Sequence, residues 1–165
     1  MIIAHDSIFH YRQWQQQQAW WIVRADKVQN VEYHGEKILL SEVSALVPFR
    51  FRREVKIKGR KARQYVADTE VAITRRARPH RRPDGNTVPR QTIPGEALKM
   101  RLIVSQVRDK RGRLLSEWLL YSNLPSPVAA PQIALWYYWR WRIESYFKLM
   151  KSAGQNVESW QQETP

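Results

Sequence analysis

The sequence predicts an α/β fold with a large β-rich insertion ahead of its final helix. Three observations carry that expectation: a helical face followed at once by a short buried run, a series of strand-like segments broken by glycine turns, and a long helical stretch behind a group of prolines. Residues 7–18 hold neither glycine nor proline, and Ile8, Tyr11 and Trp14 recur at the spacing of one helical face, so a short helix is expected. Residues 19–23, with Trp20, Trp21, Ile22 and Val23, form a brief apolar run closed by Arg24-Ala25-Asp26, which reads as a buried strand. A helix leading into a buried strand suggests an α/β layer.

Candidate strands follow at residues 30–34, 36–40, 48–57, 63–75, 99–108 and 114–122, with Gly35, Gly59 and Gly112 as turn signals between them. Alternation of period two is plain in Tyr65, Ala67, Thr69, Val71 and Ile73, and again around Leu102 and Val104. Within this β-rich stretch, the loop 78–95 holds four of the nine prolines and the turn signal Asp84-Gly85-Asn86, and is expected to be mobile. Pro125, Pro127 and Pro131 then punctuate the start of a strong helical stretch over 129–152, with Gly154 as its expected cap. The expected organisation is therefore an α/β piece at 1–26, a basic β-rich insertion at 27–125 and a closing helical segment at 126–165.

Composition limits the function classes. A chain of 165 residues supports one domain with an insertion, and the absence of cysteine excludes a disulfide scaffold, a thiolate metal site and a cysteine nucleophile. The 43% hydrophobic content with eight tryptophans argues against a disordered basic tail. No apolar run approaches the roughly 18 residues of a membrane span, so a soluble cytoplasmic protein without a membrane partner is expected. The net charge of +13 is concentrated in the middle of the chain. Residues 1–49 carry four basic and five acidic groups, residues 50–113 twenty and six, and residues 114–165 four of each. Arginine dominates that middle part, through Arg50, Arg52, Arg53, Arg60, Arg63, Arg75, Arg76, Arg78, Arg81, Arg82 and Arg90. The planar guanidinium fork suits phosphate oxygens, so a nucleic acid is the expected partner, and a merely solvated basic face is the alternative.

The final helix carries the remaining chemistry. At about 100° per residue, Arg140, Glu144 and Lys151 fall within about 60° of Tyr137, which puts a phenol, two cations and a carboxylate on one stripe. Trp136, Ile143, Phe147 and Met150 lie beside that stripe and are expected to pin the helix to a core. A carboxylate flanked by phosphate-gripping groups is the functional reading. An ordinary Arg140–Glu144 surface pair, worth about 0.3–0.5 kcal/mol, is the plain one.

The spacing Tyr137-x2-Arg140-x3-Glu144-x6-Lys151, with Trp-Arg-Ile-Glu inside it, resembles the signature of the insertion-sequence-four family of bacterial transposases. The resemblance covers most of the chain. It implies an RNase H-like catalytic domain, here partial, with a β-rich insertion before the helix that bears the third acidic ligand. Residues 7–18 would then be the penultimate helix of that core and residues 19–26 its last strand. The implied activity is DNA transposition: phosphoryl transfer by two Mg²⁺ or Mn²⁺ ions held by an Asp, Asp, Glu triad, cleaving strands at transposon ends and joining them to target DNA. Glu144 would be the third metal ligand. Tyr137, Arg140 and Lys151 would grip phosphates, assisted by Arg142 and Lys148. Trp118, in Glu117-Trp118-Leu119-Leu120-Tyr121-Ser122, matches a tryptophan that stacks on a base beside the cleaved end, and a cross-strand aromatic is its alternative reading.

The first catalytic Asp of that family lies upstream of any strand in this chain. The only carboxylate near the expected second position is Asp6, which matches either that metal ligand or a noncatalytic acid that relatives carry about four residues later. The chain is thus expected to be an internal piece of a transposase, inactive alone, from a nucleoid-associated bacterial family whose members act as dimers on paired ends. A noncatalytic basic nucleic-acid-binding protein is the rival expectation. His5, His10, His34 and His80 show no metal-ligand spacing, and no phosphate-binding glycine loop or nucleophile elbow is present.

Overall fold

The computed structural model describes residues 8–57, 59–74 and 97–152. Asp6, the arginines from Arg75 to Arg90, the proline-rich loop 78–95 and the Gly154 cap lie outside the described residues. The described chain is mixed α/β, with three helices and seven strands.

Helix α1 spans Ile8–Gln16, and its Ile8, Tyr11 and Trp14 are all buried, as their spacing requires. Strand β1, Ile22–Arg24, follows. Strands β2 (Asn30–Tyr33) and β3 (Glu36–Leu39) form a hairpin whose two turn residues, His34 and Gly35, both have positive φ, at 51° and 82°. That backbone matches the right-handed strand twist, and a glycine takes the second position without a Cβ clash. Helix α2, Leu40–Leu46, occupies the end of a stretch whose residue 40 reads as strand in the sequence. It forms because the Glu42 carboxylate accepts a hydrogen bond from the Leu39 N–H at 2.7 Å, while Leu40 and Val43, one turn apart, are fully buried.

Four longer elements complete the fold. Strands β4 (Arg50–Ile57), β5 (Arg60–Ile73), β6 (Leu98–Arg108) and β7 (Leu114–Ser122) lead to helix α3, Ala130–Ser152. All strands join one sheet in the order β1-β7-β6-β5-β2-β3, with β4 paired to the first part of β5, and every pairing is antiparallel. β1, from the N-terminal stretch, thus bonds directly to β7, with Ile22 opposite Ser122.

Strand alternation gives the sheet two buried faces. One face, through Val23, Ala67, Val71, Met100, Leu102, Val104, Leu119 and Tyr121, packs against α1 and α2. The other, through Ile22, Val66, Ile103 and Leu120, packs against Ala130, Ile133, Ala134 and Tyr137 of α3. Those four helical residues follow the i, i+3, i+4, i+7 rule. They, and not Trp136, Ile143, Phe147 and Met150, pin the helix. Ile143 is 57% exposed, Phe147 45% and Trp136 37%, while Met150 is half-buried. The physical reason is length. At about 1.5 Å per residue α3 runs about 34 Å, and the residues it buries against the sheet lie within its first 8 positions, Ala130 to Tyr137.

Candidate nucleic-acid interface

The start of α3 is set by the loop before it. Pro131 fills the first turn, where a missing N–H costs nothing, and the Ala129 carbonyl accepts from the N–H groups of Gln132 and Ile133 at 2.9 and 3.2 Å. Arg101 locks that loop to the sheet: its guanidinium donates to the carbonyls of Leu124, Pro125 and Val128 and pairs with Asp68. The helix phase is therefore fixed from the sheet outward, and with it the direction of the signature stripe.

Tyr137 is the last signature residue under cover, 9% exposed. Burial pushes its phenol above the usual tyrosine range, against the pull of the nearby Arg24 and Arg140 guanidinium groups. One turn on, Arg140 donates to the Glu144 carboxylate at 2.5 Å, with side-chain exposures of 14% and 40%. Arg24, Tyr137, Arg140 and Glu144 are thus one cluster at the point where α3 leaves the sheet. Lys151 lies on the same stripe about 21 Å beyond Tyr137, exposed, with Lys148 exposed near it. Arg142, also exposed, places its guanidinium 6.0 Å from the Tyr138 ring centre.

Arg24 is absent from the sequence-based set of site residues. The signal for it was present: Ile22 is a core residue, and period two along β1 places Arg24 on the same face, towards α3.

Trp118 stands beneath this helix. Its cross-strand partner is Ser105, and its ring lies 5.4 Å from Tyr137 and 6.1 Å from both Tyr138 and Trp141. These edge and tilted contacts make it part of the joint between sheet and helix, so a base stacked on it would share the ring with three α3 aromatics.

Glu144 offers a hard carboxylate suited to Mg²⁺ or Mn²⁺, but that carboxylate is bonded to Arg140. Among the described residues no three His, Asp or Glu side chains converge as a metal site would require, and Asp6 is not among them. Among the described residues Glu144 is therefore a single carboxylate and not a complete ligand set.

The basic strands carry a second group of cations. On β4 and β5, Arg50, Arg52, Arg53, Lys56, Arg60, Lys61 and Arg63 are exposed. The register sets Lys56 opposite Lys61 and Arg63 opposite Arg108, pairs of like charge that repel. Arg53 donates to the Gln64 side chain at 2.7 Å, which bonds in turn to Ser105 at 2.9 Å. Arg108 rests its guanidinium 5.5 Å from the ring centres of Phe49 and Tyr65.

No family model matches the chain, and neither a curated protein nor a solved structure does. No helix among the described residues is long and apolar enough to cross a membrane.

Proposed function

We propose that this chain binds double-stranded DNA and handles its ends as transposases of the insertion-sequence-four family do, with α3 as the phosphate-gripping helix. The observation that carries this reading is the cluster of Tyr137, Arg140 and Glu144 at the signature spacing, joined by Arg24 from β1 and continued along one stripe to Lys151. Three guanidinium or ammonium groups along one edge, with a phenol beside the first two, suit phosphates spaced along a DNA backbone. In this reading residues 1–26 and 126–165 belong to an RNase H-like core and residues 27–125 to its insertion. In that family Mg²⁺ or Mn²⁺ would supply two-ion phosphoryl transfer at transposon ends, and Glu144 is the one carboxylate that α3 would offer such an ion. Glu144 also orients Arg140, which fixes the guanidinium for phosphate.

A second reading has its own support. Glu144 is already neutralised by Arg140, and the exposed cations of β4 and β5 suffice for sequence-independent binding, as in a noncatalytic nucleic-acid-binding protein.

One titration separates the two. Purified protein is mixed with labelled duplex DNA over a range of salt and Mg²⁺ concentrations. On the leading reading, Arg140→Ala with Lys151→Ala weakens binding and lowers the salt slope by about 1 per lost phosphate contact, and Glu144→Gln removes Mg²⁺ dependence. Unchanged affinity in the first variant, with loss confined to Arg→Ala changes on β4 and β5, establishes the noncatalytic reading. The same mixtures are expected to give no Mg²⁺-dependent nicking, because the Glu144 carboxylate is already bonded to Arg140 and no further carboxylates converge on it among the described residues. Nicking abolished by Glu144→Ala would overturn that expectation.

A further inference from the structure

Four residues along β7 from Trp118, about 13 Å at roughly 3.4 Å per residue, the sheet ends in a second charged feature. There a cleft of about 900 Å³ is lined by Arg60, Lys61, Lys110, Arg111 and Arg113, with Asp109 as its one carboxylate. None of these residues belongs to the α3 stripe.

The charge of Asp109 is committed to the turn itself. Its Oδ1 accepts from the backbone N–H groups of Arg111 and Arg113 at 2.8 and 2.9 Å, and its Oδ2 accepts from Arg113 Nε at 3.2 Å. The Asp109 carbonyl accepts from the Gly112 N–H, and Gly112 takes φ 81°, where a side chain would strain the turn. Those backbone donors, the Arg113 N–H first, hold the Asp109 carboxyl below the usual carboxylate range. Arg113 is consumed by the same carboxylate. Arg60, Lys61, Lys110 and Arg111 form no ion pair among the described residues. Lys61 also faces Lys56 across the β4–β5 ladder. A turn of fixed geometry therefore holds several cations together against their own repulsion, and only an external anion relieves it.

We infer that this cleft is a second contact for the sugar-phosphate backbone of duplex DNA, separate from the α3 stripe and independent of base sequence. Charge density selects the partner. Duplex DNA presents one negative charge per about 1.7 Å of its axis, whereas an extended acidic peptide offers at most one per about 3.3 Å. Four uncompensated cations around one cleft match the denser polymer. The inference deepens the DNA-end reading above by adding a contact at the Leu114 end of β7, beyond the Trp118 joint with α3, so that one duplex reaches both the turn and the α3 stripe.

The test uses the full chain and a labelled duplex of mixed sequence, about 20 base pairs long, titrated between about 50 and 200 mM salt. Lys110→Ala with Arg111→Ala is expected to weaken binding by about tenfold at 0.1 M salt and to lower the salt slope by about 2, roughly one per phosphate released. Lys110→Arg with Arg111→Lys, which keeps the charge, retains both values and shows that the turn still folds. Parent-like affinity in the Ala pair overturns the inference. If Arg140→Ala with Lys151→Ala still weakens binding in that case, the α3 reading stands alone. If the cleft pair weakens binding and the α3 pair does not, the cleft stands and the α3 reading falls. Polyglutamate of matched charge serves as competitor: a loss of its binding in the Ala pair, without loss of DNA binding, assigns the cleft to acidic protein and also overturns the inference.

Discussion

Tyr137 is covered by the sheet at its ring and meets Arg24, Arg140 and Glu144 at its phenol, so its titration reports on both surroundings at once. Burial is the largest influence and raises the folded pKa above the free value of about 10. A raised folded pKa means that the neutral phenol's contribution to stability is complete below the unfolded value and is lost as pH rises through the folded one. Tyr137→Phe removes the ionisable group and keeps the ring against Trp118. The parent's melting temperature is therefore expected to fall more steeply than the variant's above about pH 10. Parallel alkaline melting curves would show that the phenol is no more buried in the folded state than in the unfolded one. At neutral pH the phenol stays protonated, which leaves it an O–H donor beside the two guanidinium groups.

At the scale of elements, α3 divides into an anchored part and a projecting part, and mutations should sort by that division. Ile133, fully buried between the sheet and the helix, is expected to cost about 2–5 kcal/mol when changed to Ala, by loss of transfer energy plus a cavity. Leu149, 67% exposed, is expected to change stability by no more than about 0.5 kcal/mol when changed to Ala. Urea unfolding followed by tryptophan fluorescence checks both, and equal losses would contradict the division. The same helix explains how far the sequence can be read. Its bounds were legible because prolines punctuate its start and neither glycine nor a later proline interrupts it, and the one-stripe geometry of Tyr137, Arg140 and Glu144 follows from the helical repeat alone. Its buried face was not, because Trp136, Tyr137, Tyr138, Trp139 and Trp141 make the helix aromatic all round, and apolarity then singles out no side. Three of the four anchors, Ala130, Ile133 and Ala134, are small or compact and allow close approach to the sheet, and the fourth, Tyr137, is one aromatic among many. Helix α2 was hidden for a different reason. Its first N–H groups, on Leu40 and Ser41, are satisfied by the carbonyls of Gln29 and Lys27, partners that no local pattern announces. α1 had neither difficulty, since three buried residues at spacing three lie in a stretch whose other residues, Phe9 apart, are polar.

Over the whole molecule, the net charge of +13 does not act as one field. Some arginines in the basic middle of the chain are structural. Arg101, with a side chain 15% exposed, ties β6 to Asp68 and to three loop carbonyls, and Arg108 lies against two rings. Others, such as Arg52 and Lys56 on β4, stand exposed without an ion pair among the described residues. These two classes should separate in one pair of measurements. Arg52→Ala with Lys56→Ala is expected to leave thermal stability within about 0.5 kcal/mol of the parent while lowering the salt slope of duplex binding by up to about 2. Arg101→Ala is expected to do the reverse. It leaves the part-buried carbonyls of Leu124 and Val128 without the guanidinium that now satisfies them, at a cost of about 1–3 kcal/mol for each one that water does not reach, and leaves the salt slope unchanged at temperatures where the variant stays folded. If both variants flattened the salt dependence equally, charge on this protein would be acting as a diffuse cloud, and neither the α3 stripe nor the turn at Asp109 could be a discrete contact. Distinct outcomes would instead place DNA on the exposed cations of β4 and β5 and assign Arg101 to holding α3 in the phase that presents Arg140 and Lys151.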